Sequence, residues 1–278
     1  MYLFRCTGIV LTVLLSGAVQ AEAYLLGVGV EGDSADGRAI SAFGDFGLTE
    51  NTWVSVSATA AETKGFIRDN DTIRGQVSLD YFFDPVGIRF GGGYWGNEDI
   101  LDSRDLNATV YVRGNGGSLS LNYEKRRFEF DLQSALLRGR MVEFSADGWG
   151  LSSRLSLGER VNLYLSGMAY DYSRNLRAQP DINVLAFVSN SRLSMMNSLI
   201  DDRYSGGIEI KFGLRSIDLT AGQWRTAVDG SRIDSYSIGF LTPVSDRFDG
   251  EFRLSLDESD NYGPTTALSF YLYYFGGS

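Results

Sequence analysis

The charged side chains of this chain recur at a spacing that would gather them on one surface. Arg74, Asp80 and Arg89 each stand one residue away from apolar neighbours and an even number away from other polar positions. The same relation holds around Arg113, Glu124, Arg127, Glu129, Asp131, Arg154, Glu209, Lys211, Asp218, Glu251 and Arg253. On extended backbone, alternate side chains point to opposite faces, so all of these would point away from the apolar side of their strands. A surface this charged cannot be a dry interior, because an isolated buried charge is prohibitively costly. It must either meet water or pair into salt bridges.

Catalytic chemistry is poorly supplied. The chain has no histidine, which removes Ser-His-Asp and Cys-His nucleophilic catalysis, histidine general bases and the usual zinc or iron ligation. Its single cysteine, Cys6, precedes an apolar stretch that resembles a secretion signal, so the mature chain would carry no thiol and no disulfide. Paired carboxylates of the glycosidase kind remain formally open. The expectation is no enzyme, no catalytic residue, no metal and no cofactor. Gly27-Val28-Gly29-Val30-Glu31-Gly32 satisfies a dinucleotide-binding pattern, but that pattern has meaning only between a strand and a helix, and here the glycines fall inside a strand. Asp69-Asn70-Asp71 begins like a calcium loop and lacks the glycine and glutamate that complete one. A net charge of -10 argues against nucleic acid as a partner.

The elements that would position these residues are strands. Ile73, Gly75, Val77, Leu79, Tyr81 and Phe83 form one face and Arg74, Gln76, Ser78 and Asp80 the other. After Asp84-Pro85 the apolar face resumes through Val86, Ile88, Phe90, Gly92 and Tyr94. About ten residues of period two on each side of a tight turn is the length a tilted strand needs to cross a bilayer. Residues 1–23 look like a signal peptide, with Arg5 as the basic end, Ile9 to Leu15 as the apolar core and cleavage after Ala21 or Ala23. Residues 24–278 are then one domain. Sixteen or so strands can be traced in it, with 14 to 18 possible. Four of them lie between residues 117 and 157, and a long loop spans 172–202. Every second connection is short and rich in Gly, Pro, Asn or Asp, from Leu48 to Asn51 through Asp84-Pro85, Arg138-Gly139, Gly158-Glu159 and Gly213-Leu214. The other series is longer. Aromatics gather near both ends of the strands, with Phe46, Trp53, Tyr81, Phe83, Phe240 and Phe248 at one end. Tyr94, Trp95, Trp149, Tyr170, Tyr172 and Trp224 lie toward the other, as two interfacial girdles would require.

In these respects the chain resembles a bacterial outer-membrane β-barrel of the porin-like kind over essentially its whole mature length, without a narrower family. Its last strand, Leu268 to Phe275, is similar to the aromatic-alternating terminal strand that barrel-assembly machinery recognises in that class. The resemblance implies a closed antiparallel up-and-down transmembrane barrel with short periplasmic turns. It also implies export through the periplasm to the outer membrane, contact with outer-membrane lipid, engagement of the assembly machinery through the C-terminal strand, and passive transport as the default function. The enzymes of such membranes resemble one another in needing a histidine, which this chain lacks.

The charged residues would then line a lumen. Either water fills it or opposite charges pair across it as a plug, and a bore of about sixteen strands favours water. Mixed signs point to weak ion selectivity. The loop 172–202 carries too much apolar surface to lie in water, so Phe187, Leu193 and Met196 are expected to fold inward as a constriction; an external hairpin or a partner-binding surface would also account for it. Three functions fit: a channel for small polar solutes or saccharides, a structural, adhesive or envelope-assembly barrel, and a polysaccharide exporter with Tyr111, Tyr164 and Tyr170 as aromatic rails.

Overall fold

The structure is a computed structural model that describes residues 21–64, 69–97, 101–132, 140–178, 191–193, 199–261 and 263–277; the side chains of residues 131, 132, 140 and 141 also lie outside it. The strands are β1 (Ala23–Asp33), β2 (Arg38–Thr49), β3 (Thr52–Thr63), β4 (Asn70–Phe83), β5 (Val86–Asn97), β6 (Leu101–Gly114) and β7 (Gly117–Leu132). They continue as β8 (Arg140–Leu157), β9 (Val161–Tyr172), β10 (Ile200–Phe212), β11 (Arg215–Thr226), β12 (Arg232–Ser245), β13 (Phe248–Ser259) and β14 (Gly263–Gly277). Each pairs antiparallel with its neighbours in sequence, and β14 returns to β1 from Ala23↔Gly277 to Asp33↔Ala267, closing the ring. Closure leaves no strand edge with unpaired backbone groups.

The period-two pattern sets the register. Val56 of β3, Val77 of β4 and Gly92 of β5 lie side by side on the outer face, as do Val54, Leu79 and Phe90. Val77 and Leu79 stay about half exposed there, with Phe90, Leu151, Leu165 and Leu254 likewise on the outside. Short turns join β4 to β5, β10 to β11 and β8 to β9. In the last two, Gly213 (φ 66°) and Gly158 (φ 68°) adopt the left-handed backbone that an L side chain resists.

The strand count is 14, where about 16 were expected. The difference lies in 117–157, where four expected strands are two long ones. Glu124-Lys125-Arg126-Arg127 looks like a turn in sequence, yet it pairs with Arg104 to Asn107 on one side and with Ser145 to Gly148 on the other. Opposite charges make this possible. Lys125 lies 3.5 Å from Asp147, and Arg126 lies 3.3 Å from Asp105, so polar residues continue the ladder where a break was anticipated. Arg138-Gly139, expected as a short turn, lies outside the described residues.

A second correction concerns facing. Near their upper ends, β7 and β8 turn their aromatics inward. Phe128 and Phe144 stack at 4.7 Å and join Trp95, Leu101, Met168 and Tyr170 in an apolar cluster inside one end of the barrel. Arg127 and Glu129, expected to face the lumen, consequently point outward, in register with Arg104 and Asp102 on β6. Asp131 lies further along β7, and its side chain is not among those described. In this part of the barrel the apolar face is internal, so an apolar residue there does not mark the lipid side. Trp95, Tyr170 and Tyr172, expected in a girdle, belong to this cluster for the same reason.

Replacing Phe128 by Ala is expected to cost about 3–5 kcal/mol, the range for deleting a buried aromatic. Arg127→Ala should change stability by less than about 0.5 kcal/mol, as exposed positions do. Urea unfolding of the detergent-solubilised barrel checks both, and equal losses would contradict an inward Phe128 beside an outward Arg127.

Candidate functional site

The inner wall carries the charged residues in lateral pairs. On β4 and β5, Asp80 stands directly opposite Arg89, whose Nε donates to the carboxylate at 2.9 Å, while the Tyr111 hydroxyl on β6 donates to the other oxygen at 2.7 Å. Arg113, two residues on, lays its guanidinium over Phe82 and Tyr111 at 5.2 and 5.6 Å. Across β8 to β10, Arg154 donates to Glu209 at 2.9 Å, and Asn162 reaches the same carboxylate at 2.7 Å. On β11 to β14, Arg253 bridges Asp218 at 2.9 Å and Glu251 at 2.8 Å, with the Tyr164 hydroxyl 2.5 Å from Asp218 and the Tyr273 hydroxyl 2.6 Å from Glu251. Arg74 and Lys211 occupy inward register positions as well.

These pairs run along the wall within one strand, as Arg253 and Glu251 do, or between neighbouring or next-neighbouring strands. Arg89 and Arg154 keep 50% and 55% of their side-chain surface accessible although both point inward. A guanidinium can stay half exposed inside a closed ring only where there is space for water. A cavity of about 300 Å³ lies against Arg154, Tyr164, Glu209, Asp218 and Arg253 on this wall.

Glycines keep the rings out of that space. A Cβ on Gly207 would fall 2.2 Å from the Tyr164 ring and 2.7 Å from the Leu219 carbonyl, and one on Gly87 would fall 2.1 Å from the Tyr111 ring. Each tyrosine thus lies flat against the wall over a neighbouring strand's bare backbone, where its hydroxyl meets the carboxylate. Tyr111 and Tyr170 are buried in consequence.

Toward the other end, the chemistry changes. Arg126 is buried, 3.3 Å from Asp105 and 3.6 Å from Glu124, with its guanidinium 4.8 Å above the Phe128 ring and 5.9 Å from Trp95. Tyr170 donates to Glu124 at 2.7 Å, and Ser103 donates to Asp105 at 2.5 Å. Arg126 was not singled out from sequence, although it shares the even-numbered phase of Ser118, Ser120, Asn122 and Glu124. Its position within Lys125-Arg126-Arg127 hid which of three basic residues faces in.

The long connection between β9 and β10 packs against this end. Leu176, in the short 3-10 turn Leu176–Ala178, and Leu199 are both buried in the apolar cluster, together with Ala227 and Val228 from the β11–β12 link. Between them the chain reaches the opposite side of the ring. The Ser191 hydroxyl donates to Asp33 at 2.5 Å, the Arg192 N–H donates to the same carboxylate at 3.1 Å, and Arg192 Nε lies 3.2 Å from Glu31 and 3.7 Å from Asp257. Glu31 and Asp257 face inward on β1 and β13, so residues 191–193 are held on the inner side of the mouth. Leu193 follows in this turn, its N–H donating to Ser191 Oγ at 3.1 Å. Phe187 and Met196 lie outside the described residues. Neither Arg192 nor its carboxylate partners could be picked out from sequence, because their pairing spans more than the length of any local motif.

Among the described residues, no group of three or more His, Cys, Asp or Glu side chains is placed to hold a metal ion. No family model matches the chain, and no curated protein matches it in sequence. Solved structures do resemble it. A monoaromatic hydrocarbon channel, CymD, superposes with a TM-score of 0.57 at 9% identity, covering 94% of this chain and 90% of that one. A loop-deletion mutant of OmpT, an outer-membrane protein of Vibrio cholerae, gives 0.51 at 8% identity over 92% of this chain and 100% of that one. An anion-selective porin from Comamonas acidovorans gives 0.50 at 10% identity over 91% and 98%. The fold is that of outer-membrane porin-like barrels.

Gly207→Ala is expected to destabilise the barrel by about 1–3 kcal/mol, the cost of overpacking, since both a ring and a carbonyl stand in the way. Gly75→Ala, where a Cβ would meet open space, should stay within about 0.5 kcal/mol of the parent. Comparative denaturant unfolding separates the two.

Proposed function

We propose that this chain is an outer-membrane, porin-like channel through which small hydrophilic solutes diffuse passively, narrowed at its mouth by the β9–β10 segment. The observation that carries the reading is the half-exposed state of inward guanidinium groups such as Arg89 and Arg154 within a closed ring, which calls for a watered bore. Arg74, Asp80, Arg89, Arg113, Arg154, Glu209, Lys211, Asp218, Glu251 and Arg253 line it. Because both signs of charge are spread round the wall and Arg89, Arg154 and Arg253 are paired with carboxylates, the bore imposes no strong preference for either sign of ion, and polar, weakly charged solutes suit it best.

The membrane assignment rests on the outer face. Val77, Leu79, Phe90, Leu151, Leu165 and Leu254 form part of an apolar belt too extensive to be left in water. The signal-like segment at residues 1–23 supports export, and the terminal strand β14 fits recognition by assembly machinery. A second reading, a structural or adhesive barrel without transport, is favoured by one feature: the apolar cluster around Phe128 and Leu199 fills part of the lumen at the mouth.

Planar-bilayer conductance decides between them. Open-channel current is expected from the folded protein, and its absence would leave the non-transport barrel. Arg192→Ala, which removes the pairing to Glu31 and Asp257, should raise single-channel conductance or introduce rapid opening fluctuations; an unchanged trace would sink the constriction.

The outer face gives an independent check. Val77→Arg or Leu79→Arg should weaken folding in bilayers by about 2–4 kcal/mol if these residues meet lipid near the midplane, whereas Ser78→Arg, on the inner face, should be tolerated. Equal tolerance at the three positions would remove the membrane assignment.

A further inference from the structure

The outer surface of β6, β7 and β8 has a feature that neither strand pairing nor solute passage explains. Rising along this surface from the apolar residues Leu121, Val110 and Leu151, one meets Tyr123 and Trp149, whose rings pack at 4.7 Å, then Lys125 beside its ion-pair partner Asp147 at 3.5 Å, and then the facing pair Arg104 and Arg127. Above it come Asp102, Glu129 and Glu143. Within these tiers like charges stand directly opposite one another: Arg104 faces Arg127, Asp102 faces Glu129, and Glu129 faces Glu143. Such cross-strand pairs are unfavourable. Arg104 is partly relieved by Glu129 at 3.8 Å, while exposed Arg127 has no ion-pair partner among the described residues. A groove of about 840 Å³ runs past these side chains, with Gly92, Tyr94 and Leu106 along it.

We infer that this groove binds the phosphorylated headgroup of a lipid in the surrounding leaflet, clamped between Arg104 and Arg127. The inference rests on the membrane reading above. Guanidinium groups from two directly opposite residues can both donate N–H groups to a single phosphoryl group, whose charge turns their mutual repulsion into a shared attraction. The level is right for a headgroup. The aromatic pair Tyr123 and Trp149 marks the interface, the arginine pair stands two steps above it, and Leu106 and Gly92 below the arginines offer an apolar bed for an acyl chain. The acidic tier above repels the phosphoryl group from a higher position and so fixes its depth.

The test uses the full-length mature barrel in detergent, with bisphosphorylated lipid A as probe, a phosphate-free glycolipid of the same acyl chains as control, and binding read by native mass spectrometry. The phosphorylated lipid should bind one to one, and the double variant Arg104→Gln/Arg127→Gln should weaken it by about tenfold or more, the loss expected for charge-assisted hydrogen bonds. Equal affinity of the variant, or equal binding of the phosphate-free lipid, would overturn the inference. So would inorganic phosphate that competes as well as the lipid does, since the site would then hold an adventitious ion only. Thermal unfolding adds a readout that a merely structural role would not give. Without lipid the variant, freed of facing like charges, should melt no lower than the parent, whereas with lipid A only the parent should gain stability. A variant that melts lower without lipid would mean that the arginines serve the fold. Failure of the parent to enter bilayers would remove the membrane reading and this inference with it; entry without phosphate-dependent binding would remove this inference alone.

Discussion

The pairing of β14 with β1 is the constraint on which the remainder depends. From Ala23↔Gly277 to Asp33↔Ala267 the last strand completes the backbone ladder of the first, so that no strand in the ring is left with an unpaired edge. Once the ring is closed, each strand has an inside and an outside in place of two equivalent faces, and a period of two in the sequence becomes a division of the molecule into two environments. The outside can be as apolar as Val77, Leu165 and Leu254 make it, because no backbone polar group is exposed between them.

Inside the ring, the wall is organised to leave room. Carboxylates are held by arginines on strands close by, and tyrosine hydroxyls complete the acceptors: Asp80 with Arg89 and Tyr111, Asp218 with Arg253 and Tyr164. Lateral pairing of this sort neutralises charge without spanning the bore, which distinguishes it from a salt-bridged plug. The glycines opposite the tyrosines are part of the same solution, since a ring of that size can lie flat only where the neighbouring strand has no side chain. Small and large residues therefore alternate between adjacent strands, a packing rule that acts across the sheet and leaves little trace along any one strand.

The mouth is treated differently. There the inward face is apolar, and the β9–β10 segment packs Leu176 and Leu199 into it while Ser191 and Arg192 engage carboxylates on the opposite side. Hydrophobic burial holds Leu176 and Leu199, and a charge cluster holds Ser191 and Arg192. The two anchorages differ in strength and in kind: the apolar cluster is excluded from water, whereas Arg192 retains partial access to it.

Sequence alone determined the class of fold, because alternation is a local property. The hairpin from Ile73 to Tyr94 announces strand, turn, strand and face without reference to any distant residue, and most inward charges follow from it, Arg74, Asp80, Arg89, Arg154, Asp218 and Arg253 among them. What failed in the sequence was the meaning of the face. Period two states that Phe128 and Arg127 lie on opposite sides and is silent on which side is inside, and the choice is settled only by what lies across the ring, namely Trp95, Phe144, Met168 and Leu199. The observed 14 strands stand at the low end of the expected 14 to 18 for a related reason, since Lys125 and Arg126 continue a strand only because Asp147 and Asp105 stand beside them. The contact of Arg192 with Glu31 and Asp257 is the extreme case. These residues are brought together by closure of the ring and by nothing in their own neighbourhoods, so the tertiary structure alone could place them in one cluster.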